Sequence, residues 1–256
     1  MKNTFNKDKL LTIGILPIMW LIYFAFEIVT GRVKDLYTLI LNLSLVFVFA
    51  LVGYIIYYLS DKYSDGFQGK KLFLIFLILM LIDQGSKLII KFNFFNSYYE
   101  IIPRFLSFDP IINTDGSWLN ARFNFNISFP LLILINFIAL FIFFELYRYI
   151  KFKSGKNTFW GDMCFAFIFA GALCSLIDKV FYGGSLDFIG ISDLFIADIK
   201  DIYINLGLLF FIMATYKSDF FKEDENSSLK DDWNAIKKFL AFIKNDIKRS
   251  IKKEKA

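Results

Sequence analysis

Several ionisable side chains stand where an apolar chain has no ordinary use for them. Asp83, Gln84 and Lys87 fall inside the run LIDQGSKLII, and Asp178 and Lys179 close the run AGALCSLIDK. Asp187, Asp193, Asp198 and Asp201 follow in VFYGGSLDFIGISDLFIADIKDIYINLG. A charge in hydrocarbon costs roughly 3 kcal/mol even on lenient scales, so each such group needs a partner or a task. Lys87 lies one helical turn after Asp83, where the two can neutralise each other; alone, the pair reads equally as a device that docks one helix on another. The later aspartates offer different chemistry. If the end of one span returns to the start of the next, Asp187 meets Asp198 or Asp201. Two carboxylates held close cannot both ionise. The ionised member can then take a proton from water while the protonated one polarises a scissile carbonyl, the division of labour of an aspartic protease. Read alone, the same stretch also fits a solvated acidic loop.

The composition narrows the alternatives. The chain has no histidine, which excludes histidine triads and histidine-ligated zinc. Cys164 and Cys174, on one apolar helix, would stand about 15 Å apart along its axis, too far for a disulfide, and neither has a basic neighbour that favours a thiolate. Any hydrolytic chemistry therefore falls to carboxylates, with no metal and no cofactor expected. The net charge of +5 is carried by residues beside the hydrophobic runs rather than by a basic patch interleaved with stacking aromatics, so no nucleic acid is expected.

With 57% hydrophobic and 20% aromatic residues, the chain has runs long enough to cross a bilayer, which takes roughly 20 residues. Six spans are expected, at Leu11–Val29, Leu36–Leu59, Leu72–Phe92, Phe129–Tyr149, Met163–Phe181 and Ile202–Tyr216. The first is read as a retained anchor, because its apolar region is too long for a signal peptide and no small-x-small site follows it. Lysine and arginine crowd the N-terminus, the Lys62–Lys71 loop, the Arg148–Lys156 loop and the tail beyond Lys217, which assigns these segments and both termini to the cytoplasm. The exterior then receives a turn near Gly31–Asp35, a long loop at Asn93–Asn126 and a shorter one at Tyr182–Lys200. The long loop alternates aromatic and β-branched residues with turn formers, so short strands are expected there. In the tail, Trp233, Ile236, Leu240, Ile243, Ile247 and Ile251 recur at helical spacing. That pattern fits an amphipathic helix on the inner membrane surface, and equally a partly ordered solubilising tail. The fold class is thus all-α and polytopic, with six transmembrane helices, a small β-containing loop region outside and a C-terminal amphipathic helix.

These elements together resemble the signal peptidase II (lipoprotein signal peptidase) family. The family's Asp-Gln-x-x-Lys motif matches Asp83, Gln84 and Lys87, and its outer-loop asparagine corresponds to Asn113 in INTDGSW. Its Gly-Asn-Leu-Ile-Asp-Arg run reads here CSLIDK, keeping Asp178 but placing Ser175 and Lys179 where the family has asparagine and arginine. SLDFI sets the first catalytic aspartate at Asp187. The second is either Asp198, by the letters IAD, or Asp201, six residues before Gly207. The latter is favoured, and it would put Asp198 where the family has asparagine and Lys200 where it has alanine.

The resemblance covers roughly residues 70–217, leaving residues 1–69 as a two-helix extension and 218–256 as a charged tail. It implies a bacterial cytoplasmic membrane protease, its site at the outer leaflet, cutting lipid-modified prolipoproteins within membrane lipid. It also implies that Asp83, Lys87 and Asp178 support the dyad and that Asn113 contacts substrate. The departures at positions 175, 198 and 200 raise an alternative: a paralogue that binds lipoprotein or lipid without cleaving. A small transporter fits less well, since the polar groups gather at one edge rather than at the midplane. The oligomeric state is left open.

Overall fold

The computed structural model describes residues 7–116, 118–123, 127–218 and 229–253. Six helices are long and apolar enough to cross a membrane: α1 (Lys7–Val29), α2 (Leu36–Lys62), α3 (Gly69–Asn93), α5 (Phe129–Ser154), α6 (Phe159–Ile177, continuing to Tyr182) and α7 (Ile199–Lys217). Each expected span lies within one of them. A short α4 (Trp118–Phe123) sits in the long loop, and α8 (Leu229–Lys253) forms the tail.

Local chemistry sets the helix ends. The Asp35 side chain accepts the Thr38 N–H at the start of α2, and the Thr158 hydroxyl accepts the Gly161 N–H at the start of α6. Gly155, in the left-handed region, closes α5. Large apolar side chains such as Phe47, Leu51, Leu81, Ile89 and Phe137 point outward, as a lipid-facing surface requires. The core lies along α6 and α7, where Ala166, Ala170, Cys174, Leu209 and Met213 are wholly buried. Gly171 permits that contact: a Cβ there would stand 2.9 Å from Ile204 Cγ1. Both cysteines are free and buried in this packing.

The loops at one end build an antiparallel sheet in the order β1-β2-β3-β4. β1 (Tyr99–Ile102) and β2 (Leu106–Asn113) come from the loop after α3, while β3 (Ser185–Ile191) and β4 (Phe195–Ala197) come from the loop between α6 and α7. The register pairs Asn113 with Ser185 and Ile111 with Asp187, with a bulge in β2 between Phe108 and Ile111, where Pro110 lacks a donor for the ladder.

The turn between α1 and α2 joins this sheet end. Arg32 Nη2 donates to the Asp193 carbonyl at 2.7 Å, and Asn42 Nδ2 donates to Ser192 Oγ at 3.0 Å. Trp20 and Tyr23 set their rings against Phe195. At the other end the Phe67 N–H reaches Asp162, Phe159 reaches Ser64, and Lys217 pairs with Asp8. The three connections expected outside therefore meet at one end, and the lysine-rich ones at the other.

Candidate active site

The site forms where the sheet closes over the ends of α3, α6 and α7. The last turn of α6 widens into a π-helical turn at Asp178–Tyr182, and Gly183, at φ 64°, turns the chain into β3. This leaves Asp178 buried at the bundle end and sends Ser185 and Asp187 back over it along β3. β4 then delivers Asp198 as the N-cap of α7. Its side chain accepts the Asp201 N–H while the Asp201 side chain accepts the Asp198 N–H, a reciprocal capping box at 3.2 Å in each direction. A third carboxylate joins this helix start: Asp83 Oδ1 accepts the Lys200 N–H at 2.9 Å. Carboxylates are favoured there because helix N-termini present unpaired N–H groups and a positive dipole end.

Lys87 is the hub of the buried charges. Its Nζ lies 3.1 Å from Asp83, 2.6 Å from Asp178 and 2.6 Å from Asp198, so the expected pair with Asp83 is one arm of a larger cluster. Gln84 bridges the same groups, donating to Asp83 at 3.0 Å and to Asp178 at 3.1 Å. A second ammonium enters from α7. Lys200 Nζ bonds Asp198 and Ser185 and lies 3.3 Å from Asp178 and 3.9 Å from Asp187. Ser185 Oγ also donates to Asp198 at 2.9 Å.

Asp187, Asp198 and Asp201 each bring a carboxylate oxygen to within 4.8 Å of the other two. Asp187 Oδ2 accepts from Asn113 Nδ2 at 2.8 Å, whereas Asp187 Oδ1 is buried without a hydrogen-bond partner. Burial pushes the Asp187 carboxyl above the usual carboxylate range; the Lys200 ammonium pulls against this and the Asp198 charge adds to it. Burial acts on Asp198 in the same sense, but Lys200 and Lys87 hold that carboxyl below the usual range. Two neighbouring carboxyls are thus shifted in opposite directions, Asp187 up and Asp198 down. The three oxygens would also make a donor set for a cation, though the two ammonium groups already supply positive charge on that side of the cluster.

The helix pattern and the sheet thus bring Asp83, Gln84, Lys87, Asn113, Asp178, Asp187, Asp198 and Asp201 together. Asn113, expected to contact substrate, donates to Asp187. Ser175 and Lys179 lie beside the cluster but bond each other, Nζ to Oγ at 2.5 Å. Asp193 sits outside, in the turn held by Arg32. Sequence reasoning passed over Lys200 and Ser185 as members of the site. Lys200 had a readable signal, a cation two residues before the short apolar span expected from Ile202; Ser185 had none, because its place depends on the strand register.

The sequence model of the family described as signal peptidase (SPase) II matches residues 75–217, more than half of the chain. The chain belongs to the signal peptidase II family. Its relatives include the lipoprotein signal peptidase of Staphylococcus haemolyticus (strain JCSC1435), 28% identical over 154 residues that make up 57% of this chain and 91% of the relative. The lipoprotein signal peptidase of Staphylococcus aureus is 27% identical over 159 residues, 59% of this chain and 91% of that one. A bacterial membrane enzyme solved by the in meso method at 2.3 Å superimposes with a TM-score of 0.50 at 25% identity, covering 64% of this chain and 98% of that structure. Signal peptidase II proteins are aspartic peptidases that process lipoprotein precursors, and this member is an integral membrane protein of that fold. The region matched by the family model excludes α1, α2 and α8.

Proposed function

We propose that this chain is a membrane aspartic endopeptidase that removes signal peptides from lipid-modified prolipoproteins, with Asp187 and Asp201 as its dyad. The observation that carries the reading is the meeting of Asp187, Asp198 and Asp201 within 4.8 Å at the mouth of the helix bundle. Support for Asp201 over Asp198 comes from occupancy. Asp198 Oδ2 is taken by Lys87, Lys200 and Ser185 and its Oδ1 accepts the Asp201 N–H, whereas Asp201 Oδ2 accepts the Asp198 N–H, so Asp198 is the more heavily engaged of the two.

Asp201 then takes a proton from water as the water oxygen attacks the scissile carbonyl carbon. Asp187, whose carboxyl burial pushes above the usual carboxylate range, is the member that donates to the carbonyl oxygen in this reading. Collapse of the tetrahedral intermediate breaks the C–N bond and returns a proton to Asp187, and the departing nitrogen takes the proton that Asp201 received from water. Asp83, Lys87 and Asp178 fix the helix ends around the dyad, and Asn113 orients Asp187. The lysine and arginine distribution supports an outward-facing site with both termini in the cytoplasm. Residues 70–217 form the catalytic core in this reading, with residues 1–69 and 218–256 as additions.

The test is to reconstitute the full chain with a lipid-modified prolipoprotein and follow the substrate's mass. Loss of the signal-peptide mass with the wild type, and none with Asp187→Asn, is the expected result; undiminished cleavage by Asp187→Asn overturns the dyad.

One observation favours a second reading, a protein that binds lipoprotein without cutting it. The Lys200 ammonium bonds Asp198 and stands 3.9 Å from Asp187, and a cation there favours ionised carboxylates over a shared proton. Saturable binding of a lipopeptide with no turnover would select that reading.

A further inference from the structure

Helix α8 divides into three faces. One packs on the end of α5: the rings of Phe239 and Phe242 meet Tyr149 at 5.4 Å each, Phe242 also meets Phe152, and Asp246 takes a bidentate contact from Arg148. A second face is apolar and exposed, formed by Trp233, Ile236, Leu240 and Ile247 at helical intervals of three, four and seven. The third is basic. Lys237, Lys244 and Lys248 flank the apolar stripe on the side away from α5, and the Lys237 ammonium lies 5.6 Å from the centre of the Trp233 ring. The helix Leu229–Lys253 holds eight lysines and arginines against three aspartates, and one of those aspartates is matched to Arg148.

Water is a poor environment for that stripe, and a globular partner would have to cover it beside a row of lysines. An anionic bilayer surface satisfies both faces: the acyl boundary takes Trp233, Ile236, Leu240 and Ile247, while headgroups meet the ammonium groups. The contact with α5 holds the helix at the level where a membrane-spanning helix ends, beside Tyr149 and Phe152. We infer that α8 is an interfacial helix that seats this stripe in an anionic leaflet, using α5 as its anchor. The inference stands apart from the catalytic reading.

The test uses the full chain with a nitroxide at Leu240→Cys, reconstituted in phosphatidylcholine vesicles with or without one-third phosphatidylglycerol. In anionic vesicles the label is expected to be reached by oxygen and shielded from a water-soluble nickel complex. Lysines near an anionic surface each shift such an equilibrium about fivefold. The triple change Lys237→Gln, Lys244→Gln, Lys248→Gln should therefore move it toward water by on the order of 100-fold. Three outcomes overturn the inference: a label open to the nickel complex in both vesicles, equal immersion in neutral and anionic vesicles, or dilution-dependent spin–spin broadening, which would put a second copy on the stripe. A label on the α5 side, at Phe239→Cys, should stay shielded in every composition, showing that the helix is folded and docked.

Discussion

The two ends of α6 bury carboxylates in opposite ways. At one end, Asp162 is almost wholly enclosed, and each of its oxygens has a neutral donor: the Phe67 N–H at 2.7 Å and the Tyr147 hydroxyl at 2.7 Å. At the other end, Asp178 enters a cluster with Asp83, Asp187, Asp198 and Asp201, against the ammonium groups of Lys87 and Lys200, and one oxygen of Asp187 has no hydrogen-bond partner. A carboxylate satisfied by neutral donors ties loops together. A crowd of like charges with an open oxygen pulls the proton affinities of neighbouring carboxyls apart, as acid–base chemistry needs. Burial alone therefore does not distinguish the two kinds of aspartate; the charges and donors gathered around each one do.

That contrast can be broken by substitution. Asp187→Asn should lower the cleavage rate by about 10²–10⁴, the range for removing a general acid or base, with the fold intact by circular dichroism. Asp201→Asn should match it and Asp198→Asn should fall short in rate per folded molecule; the reverse order would make Asp198 the partner. Lys87→Met leaves buried carboxylates uncompensated and should cost about 3–5 kcal/mol, read as a lowered melting temperature in detergent. Asp162→Asn should cost about 1–3 kcal/mol by leaving a buried group without its match, yet leave cleavage per folded molecule unchanged.

The pH dependence sharpens the same comparison. Because the Asp187 carboxyl is raised in the folded protein, the fold binds its proton more tightly than the unfolded chain does. Its contribution to stability is then lost as pH rises from the ordinary carboxylate value through the raised one. Cleavage that needs this proton should decline over the same window. Lys200 holds the value down, so Lys200→Met should move the alkaline limb of the rate profile to higher pH, and Asp162→Asn should not move it. The smallest effect is expected at the brace between the extra hairpin and the sheet. Asn42→Ala removes the bond to Ser192 and should cost about 1 kcal/mol in thermal stability.

Much of this was legible in the residues. The six spans follow from hydropathy, the meeting of Asp83 with Lys87 from helical spacing, and the grouping of the loops at two ends from lysine placement. The strand-rich character of the long loop was readable, but not that β2 pairs with β3, from Leu106 with Ile191 to Asn113 with Ser185, since register depends on the bulge at Pro110 and not on local composition. For that reason neither the place of Ser185 in the cluster nor the bond from Asn113 to Asp187 was legible. The capping box of Asp198 and Asp201 had a local signature, acidic residues three apart before an apolar run. Lys200 between them was visible as a letter but not as a contact. The docking of α8 through Phe239 and Phe242 was hidden, because helical periodicity marks faces without naming what they meet.

The reciprocal bonds at the start of α7 have one further consequence. The groups that hold the first turn of this helix wound are the same carboxylates whose positions define the site, so fraying of that turn and dispersal of the site are one event. Amide exchange at Lys200 and Asp201, whose N–H groups point at Asp83 and Asp198, would therefore report the lifetime of the assembled constellation directly, before any substrate is added.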